Sequence, residues 1–132
     1  INGNVVAQVA AGYKHTVFGI GASPFSYYAC GSNEYGQLGD DSTNSKAVPV
    51  SVKTMGVLAG KTVIALAGGR DHSLALCSDG SVAAWGNNTP FGQLGDNHAF
   101  DSPVAGARHV KISGSPSVMS TVCSKWAESE PS

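Results

Sequence analysis

Charge is scarce in this chain: Asp, Glu, Lys and Arg together supply 13% of its residues, and the net charge is −1. The 8 basic residues are scattered. They form no field that would condense on a phosphate backbone, so no nucleic-acid partner is expected. No apolar run approaches the roughly 20 residues of a transmembrane helix, and no membrane partner is expected. A basic-then-apolar leader is also missing, which leaves the compartment open. Ile1 carries no initiator methionine before it, so we expect a processed N-terminus or a piece of a longer polypeptide. The three cysteines, Cys30, Cys77 and Cys123, are odd in number and lack Cys-x-x-Cys spacing. Neither a disulfide framework nor a cysteine metal site is expected. No segment combines helix caps with a 3.6-residue apolar stripe, which excludes an amphipathic helix.

What the chain does have is glycine, 17 residues of it, and internal repetition. Gly92-Gln93-Leu94-Gly95-Asp96 repeats Gly36-Gln37-Leu38-Gly39-Asp40. Ahead of these blocks, Gly69-Arg70-Asp71-His72-Ser73 answers Gly12-Tyr13-Lys14-His15-Thr16. Between them, Trp85-Gly86-Asn87-Asn88 answers Cys30-Gly31-Ser32-Asn33. A period of about 57 residues marks stacked units, each unable to bury its apolar face alone. We expect one domain over 1–132, with units at about 5–60 and 61–110. Residues 111–132 are expected to form a degenerate third unit or a tail, because Ser117 stands where a histidine would recur.

The second unit is the cleaner one. Val63–Ala67, His72–Cys77 and Val82–Gly86 read as strands, with Ser78-Asp79-Gly80-Ser81 turning between the last two. Asp-Gly between apolar strands predicts a type I′ turn. The first unit follows the same plan, with strands at His15–Gly19 and Ser26–Cys30 and a longer loop through Pro24 and Phe25. Ala47–Val52 should be its outer strand, with Pro49 on an edge where no ladder N–H is needed. Ser102–Ala105 is the weaker counterpart in the second unit. The whole reads as all-β.

The Gly-x-x-His-[Ser/Thr] block, the hairpin, Trp-Gly or Cys-Gly, and the closing Gly-Gln-Leu-Gly together resemble the repeat of the regulator of chromosome condensation family. The matching residues are Gly12, His15, Thr16, Gly31, Gly36, Gln37, Leu38 and Gly39, and again Gly69, His72, Ser73, Trp85, Gly86, Gly92, Gln93, Leu94 and Gly95. Leu76-Cys77-Ser78-Asp79-Gly80 looks like the bacterial and secreted versions of the repeat. The resemblance implies a seven-bladed β-propeller of four-stranded antiparallel sheets, of which this chain holds about two repeats. Members of such a family act as exchange factors on small GTPases, as chromatin-associated proteins, or as inhibitors of β-lactamases.

Two stacked sheets leave two outer faces of roughly 300 Å² each. Covering both would contribute at most about 15 kcal/mol. Self-association that closes a ring, or a longer natural chain, is therefore expected.

Chemistry is hard to assemble from these residues. A catalytic group has no reason to recur once per unit, so His15 and His72 are expected to pin turns by hydrogen bonding. Asp40, Asp41, Asp96 and Asp101 lack calcium-loop spacing and read as turn and cap residues. No catalytic residue, cofactor or metal is expected. Tyr35 and Phe91, just before each Gly-Gln-Leu-Gly, should brace their loops. The irregular loops are the expected contact points for a protein partner: Pro24, Phe25 and Tyr27 in the first hairpin, and Asn88, Thr89 and Pro90 in the second long loop. The leading expectation is a non-enzymatic protein-interaction module. A self-assembling structural segment is the alternative, and a nucleotide exchange factor the third reading.

Overall fold

The computed structural model describes residues 5–22, 25–53 and 58–96, together with the backbone of 104–109. Its strands are β1 (Val6–Ala11), β2 (His15–Ile20), β3 (Ser26–Gly31), β4 (Lys46–Ser51), β5 (Val63–Gly68), β6 (His72–Cys77), β7 (Val82–Gly86) and β8 (Val104–His109). They form two four-stranded sheets, ordered β1-β2-β3-β4 and β5-β6-β7-β8, antiparallel throughout. No α-helix occurs among the described residues. The outer strand β4 begins and ends one residue earlier than expected. Its register slips between Ala29 and Gly31, which takes Pro49 out of the ladder on a free edge. Strand β8 includes Val104 and Ala105 of the expected Ser102–Ala105, while Ser102 and Pro103, like the whole 111–132 segment, lie outside the described residues.

The β6–β7 hairpin differs from the sequence expectation. Gly80 has φ 85°, but Asp79 is not among the residues of positive φ, so the turn is not type I′. Gly80 N–H donates to the Cys77 carbonyl at 3.0 Å and Cys77 N–H to the Ser81 carbonyl at 2.8 Å. This is a longer loop with glycine at its bulge position. The reason is local. The Asp79 carboxylate accepts from Ser81 N–H at 2.9 Å and Ser81 Oγ at 2.6 Å, and pairs with Lys61 at 2.9 Å, which holds Asp79 in an ordinary conformation.

The core lies between the two sheets. Strand alternation sends Val17 and Ala29 from the first sheet and Ala75, Ala83 and Trp85 from the second into one buried cluster, closed by Leu38, Val52, Leu58 and Val63. Trp85 is only 1% exposed. Cys30, its counterpart in the first unit, is half-buried instead, on the sheet face turned away from this core.

Polar bonds fix the register of one sheet on the other. The Gln37 carbonyl accepts from Trp85 Nε1 at 3.0 Å and from Ser73 Oγ at 2.9 Å. Because the Ser73 proton is used there, His15 must donate from Nε2 to Ser73 Oγ, 2.8 Å away. At the far end of the interface the Val63 carbonyl accepts from Tyr27 Oη at 3.0 Å and Gln8 Nε2 at 3.3 Å. Each histidine ring lies against the glycine three residues before it, and a Cβ on Gly12 or Gly69 would overlap the ring. That contact is the physical content of the Gly-x-x-His spacing.

The two outer faces differ. On the first sheet Val9 stays exposed beside a stacked Phe18–Tyr28 pair. On the second, Val82, Ala84 and Leu94 are buried, with Leu74 and Leu76 packed against them, so this face is not bare as expected.

Two predictions follow from the interface. Ser73→Ala strips His15 Nε2 of its partner and should cost about 1–3 kcal/mol in urea denaturation. Burial holds both histidines at about 4, below the ordinary 6.5; the His72 main chain partly opposes this for His15, and His15 adds to it for His72. The unfolded chain then binds more protons than the folded one between pH 6.5 and 4. Stability should be full above pH 6.5, fall as pH drops through that window, and level off below it. Urea midpoints that stay flat from pH 7 to 4 would contradict the burial of these rings.

Candidate functional site

An antiparallel meander puts alternate connections at opposite ends of its sheet. The β1–β2 turn (Gly12 to Lys14), the β3–β4 loop, the β5–β6 turn (Gly69 to Asp71) and the β7–β8 loop share one end. The β2–β3 loop, carrying Phe25, and the β6–β7 turn share the other. The two loop groups expected to contact a partner therefore cannot act together.

Of those expected contact residues, Pro24 lies outside the described residues. Phe25 is half-buried, packs on the core and meets Tyr27 edge-to-face at 6.4 Å. Tyr27 is in strand β3, 7% exposed, with its hydroxyl on the Val63 carbonyl, so it is a core residue and not a loop contact. The sequence already placed Tyr27 in the strand Ser26–Cys30, and only its nearness to the longer hairpin loop made it an expected contact. Asn88 is fully buried and serves its own loop: Oδ1 accepts from Leu94 N–H at 3.0 Å and Nδ2 donates to Asp96 at 3.4 Å. Thr89 is half-buried, and Pro90 is exposed.

Asn33 does the same work in the first unit. Its Oδ1 accepts from Leu38 N–H at 2.9 Å, while Nδ2 lies 3.1 Å from Asp40 Oδ1 and 3.0 Å from the Ser42 and Asn44 carbonyls. The Asp40 carboxyl is lowered from its usual value: burial works against this, and bonds from Ser42 and Asn33 outweigh it. The glycines of each Gly-Gln-Leu-Gly adopt φ between 64° and 79°, which lets the chain wrap these asparagines. Gly39 also runs so near Trp85 that a Cβ there would stand 2.7 Å from Nε1. Leu38 and Leu94 are buried beneath their loops. Gln37 is buried too, with its side-chain Oε1 accepting from Tyr35 N–H at 2.9 Å, and Gln93 Nε2 donates to the Thr89 carbonyl at 3.2 Å. Gly86 turns back at φ 112°, as Gly31 does at 110°.

These braced loops display a different set of side chains from those the sequence pointed to. Phe91 is 73% exposed, Tyr13 61% and Tyr35 36%. Neither the Phe91 nor the Tyr35 ring belongs to the buried core, and the hydrogen bonds that organise the two loops come from Asn33 and Asn88. Tyr13 N–H donates to the Arg70 carbonyl at 3.1 Å, tying the turns of the two sheets together. The Arg70 guanidinium lies 5.0 Å from the Tyr13 ring centre and Lys14 Nζ 5.4 Å from it. Arg70 Nε also stands 3.6 Å from Asp71. Burial pushes the Asp71 carboxyl up, Arg70 and Lys14 pull it back, and Glu34 adds to the rise. A hollow of about 270 Å³ opens between Tyr35, Arg70, Asp71, Pro90 and Phe91, and a neighbouring one of about 230 Å³ shares Tyr35, Arg70 and Asp71 as walls. Among the described residues no three His, Cys, Asp or Glu side chains converge as a metal site would require. The arrangement is suited to binding.

Sequence reasoning missed Tyr13, Lys14, Arg70 and Asp71. The signal was present: these are the two positions that vary inside an otherwise repeated Gly-x-x-His.

Comparison with known proteins defines the class. A profile described as the regulator of chromosome condensation (RCC1) repeat matches residues 26–76, and a second of the same description matches residues 63–93. The chain belongs to the RCC1-repeat family, and its two sheets are blades of the β-propeller type. It is 34% identical over 108 residues to the ultraviolet-B receptor UVR8 of Arabidopsis thaliana, covering 77% of this chain and 22% of the receptor. Among solved structures it superposes on human WBSCR16 with a TM-score of 0.72 and 30% identity, over 85% of this chain and 27% of that one. It also matches a structure of Kap60 bound to yeast RCC1 (Prp20), with a TM-score of 0.65, 23% identity, and 83% and 26% coverage. The chain thus spans about a quarter of each relative's length. The likeness to bacterial versions is not borne out, since these relatives come from a plant, human and yeast.

The contrast between scaffold and display is measurable. Asn88→Ala should cost about 2–3 kcal/mol in urea denaturation, because buried donors and acceptors lose their partner. Phe91→Ala should stay within about 0.5 kcal/mol of the parent.

Proposed function

We propose that this chain is a non-enzymatic protein-interaction module that engages its partner through the loop end of its two sheets. One observation carries the reading: Tyr13, Tyr35 and Phe91 stand exposed on the same end, in both repeats, around Arg70. Buried polar networks hold the loops beneath them, so little conformational entropy is lost when they are covered. Tyrosine and arginine are the residue types that most often anchor protein interfaces. Yeast RCC1 in complex with Kap60 supports the reading, as a protein of this fold bound to another protein.

Chemistry at the histidines is disfavoured. His15 is committed to Ser73, and both rings are buried and held neutral. A second reading, assembly with a like sheet, rests on the exposed Val9 and the Phe18–Tyr28 stack.

Affinity capture with quantitative mass spectrometry tests the two readings. A partner captured by the parent should be lost with Tyr13→Ala and Phe91→Ala, while the thermal midpoint moves by no more than about 2 °C. Val9→Ser, on the open sheet face, should leave capture intact. If capture instead depends on Val9 and ignores the loop-end aromatics, the loop-end reading is wrong.

A further inference from the structure

We propose that Arg70 is the anchor for an acidic segment of the partner protein, taking one Asp or Glu carboxylate whose neighbouring apolar side chain enters the hollow between Tyr35 and Phe91. The inference rests on the loop-end reading above and names the chemistry of what binds there.

The geometry of Arg70 carries it. Its guanidinium carbon stands 5.0 Å from the Tyr13 ring centre, and its Nε faces Asp71 at 3.6 Å. Those two contacts engage the ring-side carbon and the Nε edge of the group. Among the described residues the terminal nitrogens have no hydrogen-bond partner, and half of the side chain, 51%, is open to solvent. A planar fork with its outer edge open matches a carboxylate bidentately. The platform is itself held, because Tyr13 N–H donates to the Arg70 carbonyl at 3.1 Å and so couples the two turns.

The open donors of Arg70 and the size of the trough select the occupant. Arg70 and Lys14 flank the same ring, against Glu34 and Asp71 in the same trough. Asp71 is already engaged by Arg70 Nε. A long run of phosphates would meet both carboxylates, and the chain's net charge of −1 offers it no compensating field. Two cations and two carboxylates leave the trough near neutral, so a single carboxylate is held by the terminal nitrogens of Arg70, which Asp71, placed at Nε, does not use. Beside Arg70, the hollow of about 270 Å³ has Phe91 and Tyr35 as walls and admits one bulky apolar side chain.

Panning a phage-displayed random peptide library on the whole chain provides the test. The parent should enrich peptides with Asp or Glu next to an aromatic residue or leucine. Arg70→Glu should abolish that enrichment, and Arg70→Lys should restore only part of it, because lysine offers a point charge without the fork. The best acidic peptide, labelled and titrated by fluorescence anisotropy, should bind Arg70→Ala about tenfold more weakly, with the thermal midpoint unchanged. Peptides without acidic preference, or acidic peptides undiminished by Arg70→Glu, overturn the assignment. If such peptides are still lost on Phe91→Ala, the loop-end reading survives while the role of Arg70 does not. Peptides indifferent to both residues remove both.

Discussion

The carbonyl oxygen of Gln37 is the point on which the two sheets are registered. It belongs to a glycine-flanked loop of the first repeat, yet both of its donors, Trp85 Nε1 and Ser73 Oγ, come from the second. Apolar burial between sheets is non-directional and tolerates sliding. A buried acceptor with two required donors does not, because any slip leaves polar atoms without partners. His15 adds a third link by donating to the same serine, and burial keeps that ring neutral. The repeated letters of the sequence are thus the parts of one joint. Glycine makes room for the ring, histidine reaches the next repeat, and the Gly-Gln-Leu-Gly loop presents the carbonyl.

A joint of this kind frees the loop ends for other work. Asn33 and Asn88 organise the long loops from inside, so the outward side chains at these loops need satisfy no local geometry. The two positions between glycine and histidine are tied through their main chains, by Tyr13 N–H on the Arg70 carbonyl, Ser32 N–H on the Lys14 carbonyl and Asn87 N–H on the Asp71 carbonyl, which leaves their side chains outside the joint. Tyr13, Lys14, Arg70 and Asp71 fill those positions. A rigid frame with unconstrained tips is the general arrangement by which repeat proteins place binding residues.

The strands and the repeat family were legible because period-2 alternation and the recurring glycines act locally. The strands β6 and β7 fall where the sequence put them. Repetition alone argued for a structural role of the two histidines, but the expected pinning of their own turns is replaced at His15 by a bond to Ser73 of the next repeat. Other features were not legible because they depend on contacts distant in sequence. Tyr27 belongs to the core because the Val63 carbonyl waits for its hydroxyl in the other repeat. Asn88 turned inward because Leu94 N–H and Asp96 lie beneath it, and its counterpart Asn33 had attracted no notice. The Asp79-Gly80 turn departed from type I′ through side-chain bonds to Ser81 and Lys61 that a dipeptide preference does not contain. Phe91 was expected to pack, and nothing in its immediate neighbours says that the loop had already found its brace elsewhere.

The dipeptide His72-Ser73 serves two masters. Ser73 faces backward, closing the contact with the preceding repeat, whereas His72, the equivalent of His15, belongs to the forward side and has no partner on Nε2 among the described residues. Adjacent letters therefore read in opposite directions along the array, and the array has polarity. Copying a complete unit transmits both the plug and the socket, so tandem duplication lengthens such a protein without inventing a new contact. Inverting a unit, or splicing between the histidine and its serine, would mate plug with plug.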